Sequence, residues 1–135
     1  MTQTVVLTPD RVKAALDTYY GGLSRLDMRA TASAFAPDGI VDDPKGSEIQ
    51  RGPAAIEAYF GALAAPLETF SIRADAVHTS GDGVAVAWSA SWKGRNGRSG
   101  NFSGIDVFTL NNDGLITSGT GFWDAPTVLG EMNAA

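Results

Sequence analysis

The sequence predicts an α+β fold, with helices in the first half and an antiparallel sheet in the second. Three observations carry this. Apolar residues in the first half recur at spacings of three and four, the period of a helix. In the second half they alternate, the period of a strand. The stretches "SGDG", "RNG" and "NNDG" separate the alternating runs and read as hairpin turns. Helices segregated from an antiparallel sheet define the class. The 135 residues fit one domain spanning 1–135, large enough to bury a core without disulfides.

The elements follow in order. Thr8-Pro9-Asp10 reads as a helix start: threonine caps free amides, proline suits the first turn, and an acid favours the positive end. Val12, Leu16, Tyr19, Leu23 and Leu26 then form one stripe, predicting a helix to about Leu26. Tyr20 points about 100° away from Tyr19. Asp27 is expected to cap a second helix through Ala36, burying Met28, Ala32 and Phe35 until Pro37-Asp38-Gly39 stops it. Ile40 to Asp43 reads as a short strand, because Pro44 keeps Asp43 extended. Pro53 opens a third helix with Ile56, Tyr59, Phe60 and Leu63 inward. Gly61 weakens that helix and Pro66 ends it.

Four strands are expected after it. Phe70, Ile72, Ala74 and Ala76 alternate, as do Val84, Val86, Trp88, Ala90 and Trp92. Phe102 to Leu110 and Leu115 to Trp123 complete a meander. The pattern gives only the layers; a curved sheet wrapped around the helices, forming a cone with a pocket at its mouth, is the shape expected of them.

Composition narrows the function. Hydrophobic residues make up 44% and charged residues 19%, the mark of a globular chain. The net charge of -5 lacks the basic footprint of a nucleic-acid binder. The stretch "MTQTVVLTPD" reads as neither signal peptide nor membrane span. Without cysteine there is no thiolate nucleophile or thiolate metal site, and a reducing, cytoplasmic setting is expected. The single histidine, His78, excludes a histidine metal cluster. It lies in "DAVHTSGDG" at the end of a strand, a surface setting.

Two acidic positions stand out. Asp106 shares its strand face with Phe102, Gly104, Phe108 and Leu110, and no arginine or lysine lies in the strand to pair with it. Buried there, it must find a partner or keep a proton. The alternative is that it faces solvent or pairs with a distant residue. In "IVDDPKGSE", Asp42 and Asp43 suit an ordinary acidic turn. Alternation places Asp43 on the side of Val41 and Asp42 on the side of Ile40, so only one can face a common cavity. Tyr19 reads either as a core tyrosine or as a donor aimed into a pocket.

Together these positions resemble the ketosteroid isomerases of the nuclear-transport-factor-2-like superfamily, from about Val12 to Trp123. The likeness is tightest at "FAPDGIVDDPKGSE" and "GIDVF", and continues through Gly52-Pro53-Ala54-Ala55-Ile56. It implies a cofactor-independent shift of a steroid double bond. The resemblance gives Tyr19 as an oxyanion donor, Asp43 as the base and Asp106 as a protonated acid that donates. Phe35, Phe60, Trp88, Phe108 and Trp123 are expected to wall the apolar substrate site. A homodimer through an exposed sheet face, with Ile105 and Val107 as candidates, is implied too. The sequence departs from the family at Phe35 and Phe60, where some members carry tyrosines that support the oxyanion tyrosine. Polyketide-cyclase-like enzymes and non-catalytic binders of apolar ligands are the competing readings. An epoxide hydrolase of limonene type would want an arginine between two aspartates, and no convincing candidate is visible.

Overall fold

In the computed structural model, residues 5–135 are described; Met1 to Thr4, part of the stretch read above as carrying no targeting signal, lie outside the described residues. Thr8 caps helix α1 (Pro9–Ser24), its side chain accepting the amide of Arg11. The helix stops short of Leu26, which adopts a left-handed φ of 55°. Asp27 caps α2 in the same way, accepting the amide of Ala30, but α2 covers only Met28–Ala32. This corrects the expectation of a helix through Ala36. Phe35 already belongs to strand β1 (Phe35–Asp42), which pairs in parallel with β6 (Ile116–Phe122). The amide of Ile116 donates to Ala34 at 2.9 Å, so a long-range ladder replaces the helical bonds. Pro37-Asp38-Gly39 does not end an element; it lies where the β1 register shifts, between Phe35 and Ile40.

A short β2 (Gln50–Arg51), not expected from sequence, pairs with Ile40 and Val41. Helix α3 spans Pro53–Ala64 and buries Ile56 and Phe60. Strands β3 (Leu67–Ser80), β4 (Gly83–Gly94) and β5 (Ser99–Leu110) form the expected meander and continue into β6. The sheet therefore has six strands in the order β2-β1-β6-β5-β4-β3, mixed rather than purely antiparallel. Helix α4 (Ala125–Met132), also not expected, is capped by Asp124 accepting the amide of Thr127.

The predicted alternation in β4 matches the burial: Val84, Val86, Trp88, Ala90 and Trp92 all face inward. In β3 it fails. Ala74 and Ala76 are exposed, because the register shifts between them and β3 is the edge strand. The main core gathers α1, α3 and the concave face of the sheet around Tyr19, Phe35, Phe60, Trp88 and Phe108. A second cluster, built on Leu67, Trp92, Val128 and Met132, ties α4 to the sheet.

Candidate active site

Three adjacent strands set the site out in one row. The register pairs Asp106 of β5 with Gly121 of β6, and Asp42 of β1 with Thr120 of β6. Asp43, the next residue, therefore falls opposite Gly121. Asp43 and Asp106 thus lie two strand spacings apart, about 10 Å between Cα atoms. Gly121 leaves the room between them: a methyl group there would collide with the Asp43 carboxylate.

Asp43 is 8% exposed. The Trp123 indole N–H donates to its Oδ1 at 2.6 Å, and the Tyr59 hydroxyl donates to its carbonyl oxygen at 2.6 Å. The amide of Lys45, two residues on, donates to Gly121 O at 2.7 Å and holds the turn to β6. The Asp43–Pro44 peptide is cis. Burial pushes the Asp43 carboxyl up to about 6, with the charge of Asp42 adding and the Trp123 donor opposing. Asp42, which alternation places on the other side of the chain, is half-buried; it accepts from Thr120 Oγ1 at 2.8 Å and pairs with Lys45 at 3.4 Å.

Asp106 is 4% exposed and its carboxyl is pushed up to about 7. Burial is the main cause, and the negative charge of Asp43 adds to it. Two donors act the other way. The Tyr20 hydroxyl donates to Asp106 Oδ2 at 2.6 Å. The Trp88 indole N–H lies close enough to favour the carboxylate, yet it is buried and meets no acceptor at hydrogen-bond geometry. The sequence suggests that the two aspartates sit in opposite surroundings, one polar and one apolar. Both are in fact buried, and both are raised.

Tyr19 is 2% exposed and lines the same cavity as Asp43 and Asp106. Thr31 Oγ1 donates to its carbonyl at 3.0 Å and fixes its place on α1. Burial, with the charges of Asp106 and Asp43, raises its phenol strongly, so it remains an O–H donor. The Tyr59 hydroxyl, engaged with the Asp43 backbone, does not support it. Among the described residues no hydrogen bond to the Tyr19 hydroxyl is formed.

The cavity is almost wholly apolar and has a volume of about 90 Å³. Tyr19 stands at the end built by the main core; Leu129 and Met132 of α4 stand at the end built by the second cluster. Phe60, Trp88 and Trp123 lie on its wall, whereas Phe35 and Phe108 pack behind Tyr19, with ring centroids 6.0 and 5.0 Å from it. Gly104 lets the Trp88 ring lie flat against β5, since a Cβ there would strike the ring. His78 is exposed on β3. No cluster of three His, Asp or Glu side chains suited to a metal ion occurs among the described residues.

Sequence reasoning missed three contributors. Tyr20 lies off the α1 stripe, but strands wrap α1 on that side as well. Gly121 has no local signal, because its importance comes from strand pairing. The α4 residues had one: Asp124-Ala125-Pro126 is a helix-start pattern.

The chain matches the SnoaL-like domain family over residues 16–119. It is 35% identical over 124 residues to a steroid Δ-isomerase of Nocardioides simplex, covering 83% of this chain and 89% of that protein. Among solved structures it resembles an epoxide hydrolase/cyclase-like enzyme of pyran ring formation in the polyether salinomycin. That match has 25% identity and a TM-score of 0.74, with 87% of this chain and 93% of the other covered. A Δ5-3-ketosteroid isomerase from Mycobacterium sp. superposes with a TM-score of 0.71 at 22% identity, over 86% of this chain and 95% of that one, a likeness of fold.

Proposed function

Since the chain belongs to the SnoaL-like family of the nuclear-transport-factor-2-like superfamily, alongside the ketosteroid isomerases, we propose that it is a steroid Δ5-isomerase. The observation that carries this reading is the convergence of Tyr19, Asp43 and Asp106 on one apolar cavity. The substrate is a Δ5-3-ketosteroid, and the reaction draws on no cofactor.

The Asp43 carboxylate removes the proton from carbon 4. The electron pair passes through the double bonds to the ketone oxygen, giving a dienolate. Asp43 then returns the same proton at carbon 6, and the double bond ends conjugated with the ketone. A base that must first take and then give a proton works best with a pKa near the working pH. Burial, which raises the Asp43 carboxyl to about 6, supports that role, and the Trp123 donor keeps the group from rising further. The developing oxyanion needs donors. Tyr19 supplies one, and Asp106 supplies the other while it holds its proton. Fixed donors aimed at charge that appears only during reaction contribute several kcal/mol.

The cavity, at about 90 Å³, is smaller than the roughly 300 Å³ and above usual for pockets holding drug-sized ligands. We propose that a steroid is admitted by displacement of α4, whose Leu129 and Met132 stand at one end of the cavity. Asn96 latches that helix by donating to the carbonyls of Glu131, Met132 and Ala134. Asn96→Ala is expected to quicken steroid association in stopped-flow fluorescence; unchanged association and dissociation rates reject the latch. The apolar outer face at Ile105, Val107 and Phe122 suits a homodimer, and the lack of cysteine supports a cytoplasmic setting. Ile105→Glu should then yield monomer in sedimentation velocity, whereas a wild-type protein that is already monomeric ends that proposal.

The deciding assay supplies 5-androstene-3,17-dione and follows the ultraviolet absorbance of the conjugated enone. Rapid conversion is expected. Tight binding without conversion indicates a carrier of apolar ligands. Neither outcome leaves a cyclase-like reaction, favoured by the 25% identity to the epoxide hydrolase/cyclase-like enzyme, as the reading to pursue.

A further inference from the structure

We propose that Tyr20 is a positioning residue for Asp106: its hydroxyl occupies Oδ2 from outside the cavity, so that the acid proton resides on Oδ1 and is available to the substrate oxygen. The inference rests on the isomerase reading, in which Asp106 donates. The geometry is direct. Tyr20 is 6% exposed, and its hydroxyl is 2.6 Å from Oδ2. Its side chain is not part of the cavity wall, which Asp106 and the neighbouring Tyr19 do line. It borders instead the groove between α1 and β3, beside Asp17, Ser24 and Ile72. Consecutive residues of α1 thus split their work: one faces the cavity, and the next reaches the acid from behind.

A carboxylic acid carries one proton on two oxygens, and its neighbours decide which oxygen holds it. A donor against Oδ2 makes that oxygen the acceptor and leaves Oδ1 as the hydroxyl. The direction of the bond follows from the phenol. Burial and the charge of Asp106 hold the Tyr20 phenol far above its ordinary value, so it keeps its proton. The other groups facing Asp106 do not do this work. Tyr19 from α1 is a cavity donor, Asp43 beyond β1 raises the carboxyl by its charge, Trp88 from β4 makes no hydrogen bond, and β6 presents only Gly121. Tyr20 therefore has two opposed effects. It orients the acid, and it favours the acid's ionised form.

Those effects separate in Tyr20→Phe. Loss of the donor should raise the Asp106 midpoint by about one to two pH units, the scale of a hydrogen bond to a charged acceptor. Carbon-13 NMR of the labelled aspartate carboxyls reads this without substrate. In the isomerase assay kcat should fall about tenfold at neutral pH, KM should hardly change, and the alkaline limb should move up. A merely structural tyrosine would lower stability and leave the limb in place. Placing 3-fluorotyrosine at position 20, a stronger donor of the same shape, should lower the midpoint, and it serves if Tyr20→Phe does not fold. A midpoint that stays or falls in Tyr20→Phe overturns the proposal, since it means that Tyr20 does not donate. If the wild-type protein converts no steroid, the isomerase reading fails by itself, and the NMR titration still decides what Tyr20 does to Asp106.

Discussion

The two carboxyl sites differ in how the chain holds them. Asp43 stands just past the end of β1, in a turn tied down by side chains from elsewhere: Trp123 grips its carboxylate, and Tyr59 grips its carbonyl. Asp106 lies within β5, its backbone locked between β4 and β6 and its carboxyl held at Oδ2 by the Tyr20 hydroxyl. A carboxylate held past a strand end by a single side-chain donor on Oδ1 keeps Oδ2 without a protein partner among the described residues, which suits a group that takes and returns a proton. A ladder position suits one that holds a single donor against a single oxygen. The difference teaches that equal burial does not mean equal duty. Both carboxyls are raised by desolvation, and their anchoring sets the proposed roles apart.

The sharpest break in this comparison is Asp43→Asn. An amide cannot take the proton, so turnover is expected to fall by roughly 10⁴-fold, the upper range for a positioned acid or base. Steroid binding, measured by fluorescence quenching, should persist; an active variant removes Asp43 from the base role. Tyr19→Phe deletes a donor without touching either aspartate and should cost roughly 10²–10³-fold in kcat. A wild-type rate would show that Asp106 alone serves the oxygen.

Gly121→Ala tests the spacing of the row. The added methyl must push the Asp43 carboxylate aside. Displacement of a catalytic group by about 1 Å can cost about 10²-fold. The loss should appear in kcat, while Asp106, on the far side of Gly121, keeps its bond to Tyr20 and should shift its titration only through the altered distance to the Asp43 charge.

Asp106→Asn should cost the least, and less than Asp106→Ala, because an amide still donates. Its clearer mark is the pH profile. With Asp43 active when ionised and Asp106 when protonated, the wild-type rate should peak between about 6 and 7, set by the pair together. The alkaline limb should vanish in Asp106→Asn, and its survival would assign that limb to another group. The same variant should change stability. Between an unfolded value of 3.8 and a folded value of about 7, the folded protein holds a proton that the unfolded chain has released. Wild-type stability therefore falls as pH rises through that window, by on the order of a few kcal/mol. Urea denaturation should find Asp106→Asn more stable than wild type at pH 8 and similar to it at pH 4. Equal curves at both would mean that Asp106 is not destabilised by its charge.

Local pattern and tertiary pairing contributed differently to these conclusions. The stripe on α1 placed Tyr19, alternation placed Asp106 on the inner face of β5, and the same rule separated Asp43 from Asp42. Each is a statement about neighbours in the chain, where side-chain direction follows from helix or strand period. The inward face of β4 was legible for that reason, whereas alternation gave Asp106 its face-mates and left open whether it faced solvent. What only the tertiary structure decided lies between elements. Phe35 left its expected helix because β6 offered its backbone a parallel partner. Gly121 became the gap between two carboxyls through register alone. Tyr20, off the stripe that was counted, met Asp106 because the sheet curls around α1 and covers more than one of its faces. Hydrogen bonds and ladders between distant segments carry no period in the sequence, so they become visible only when the chain is closed on itself.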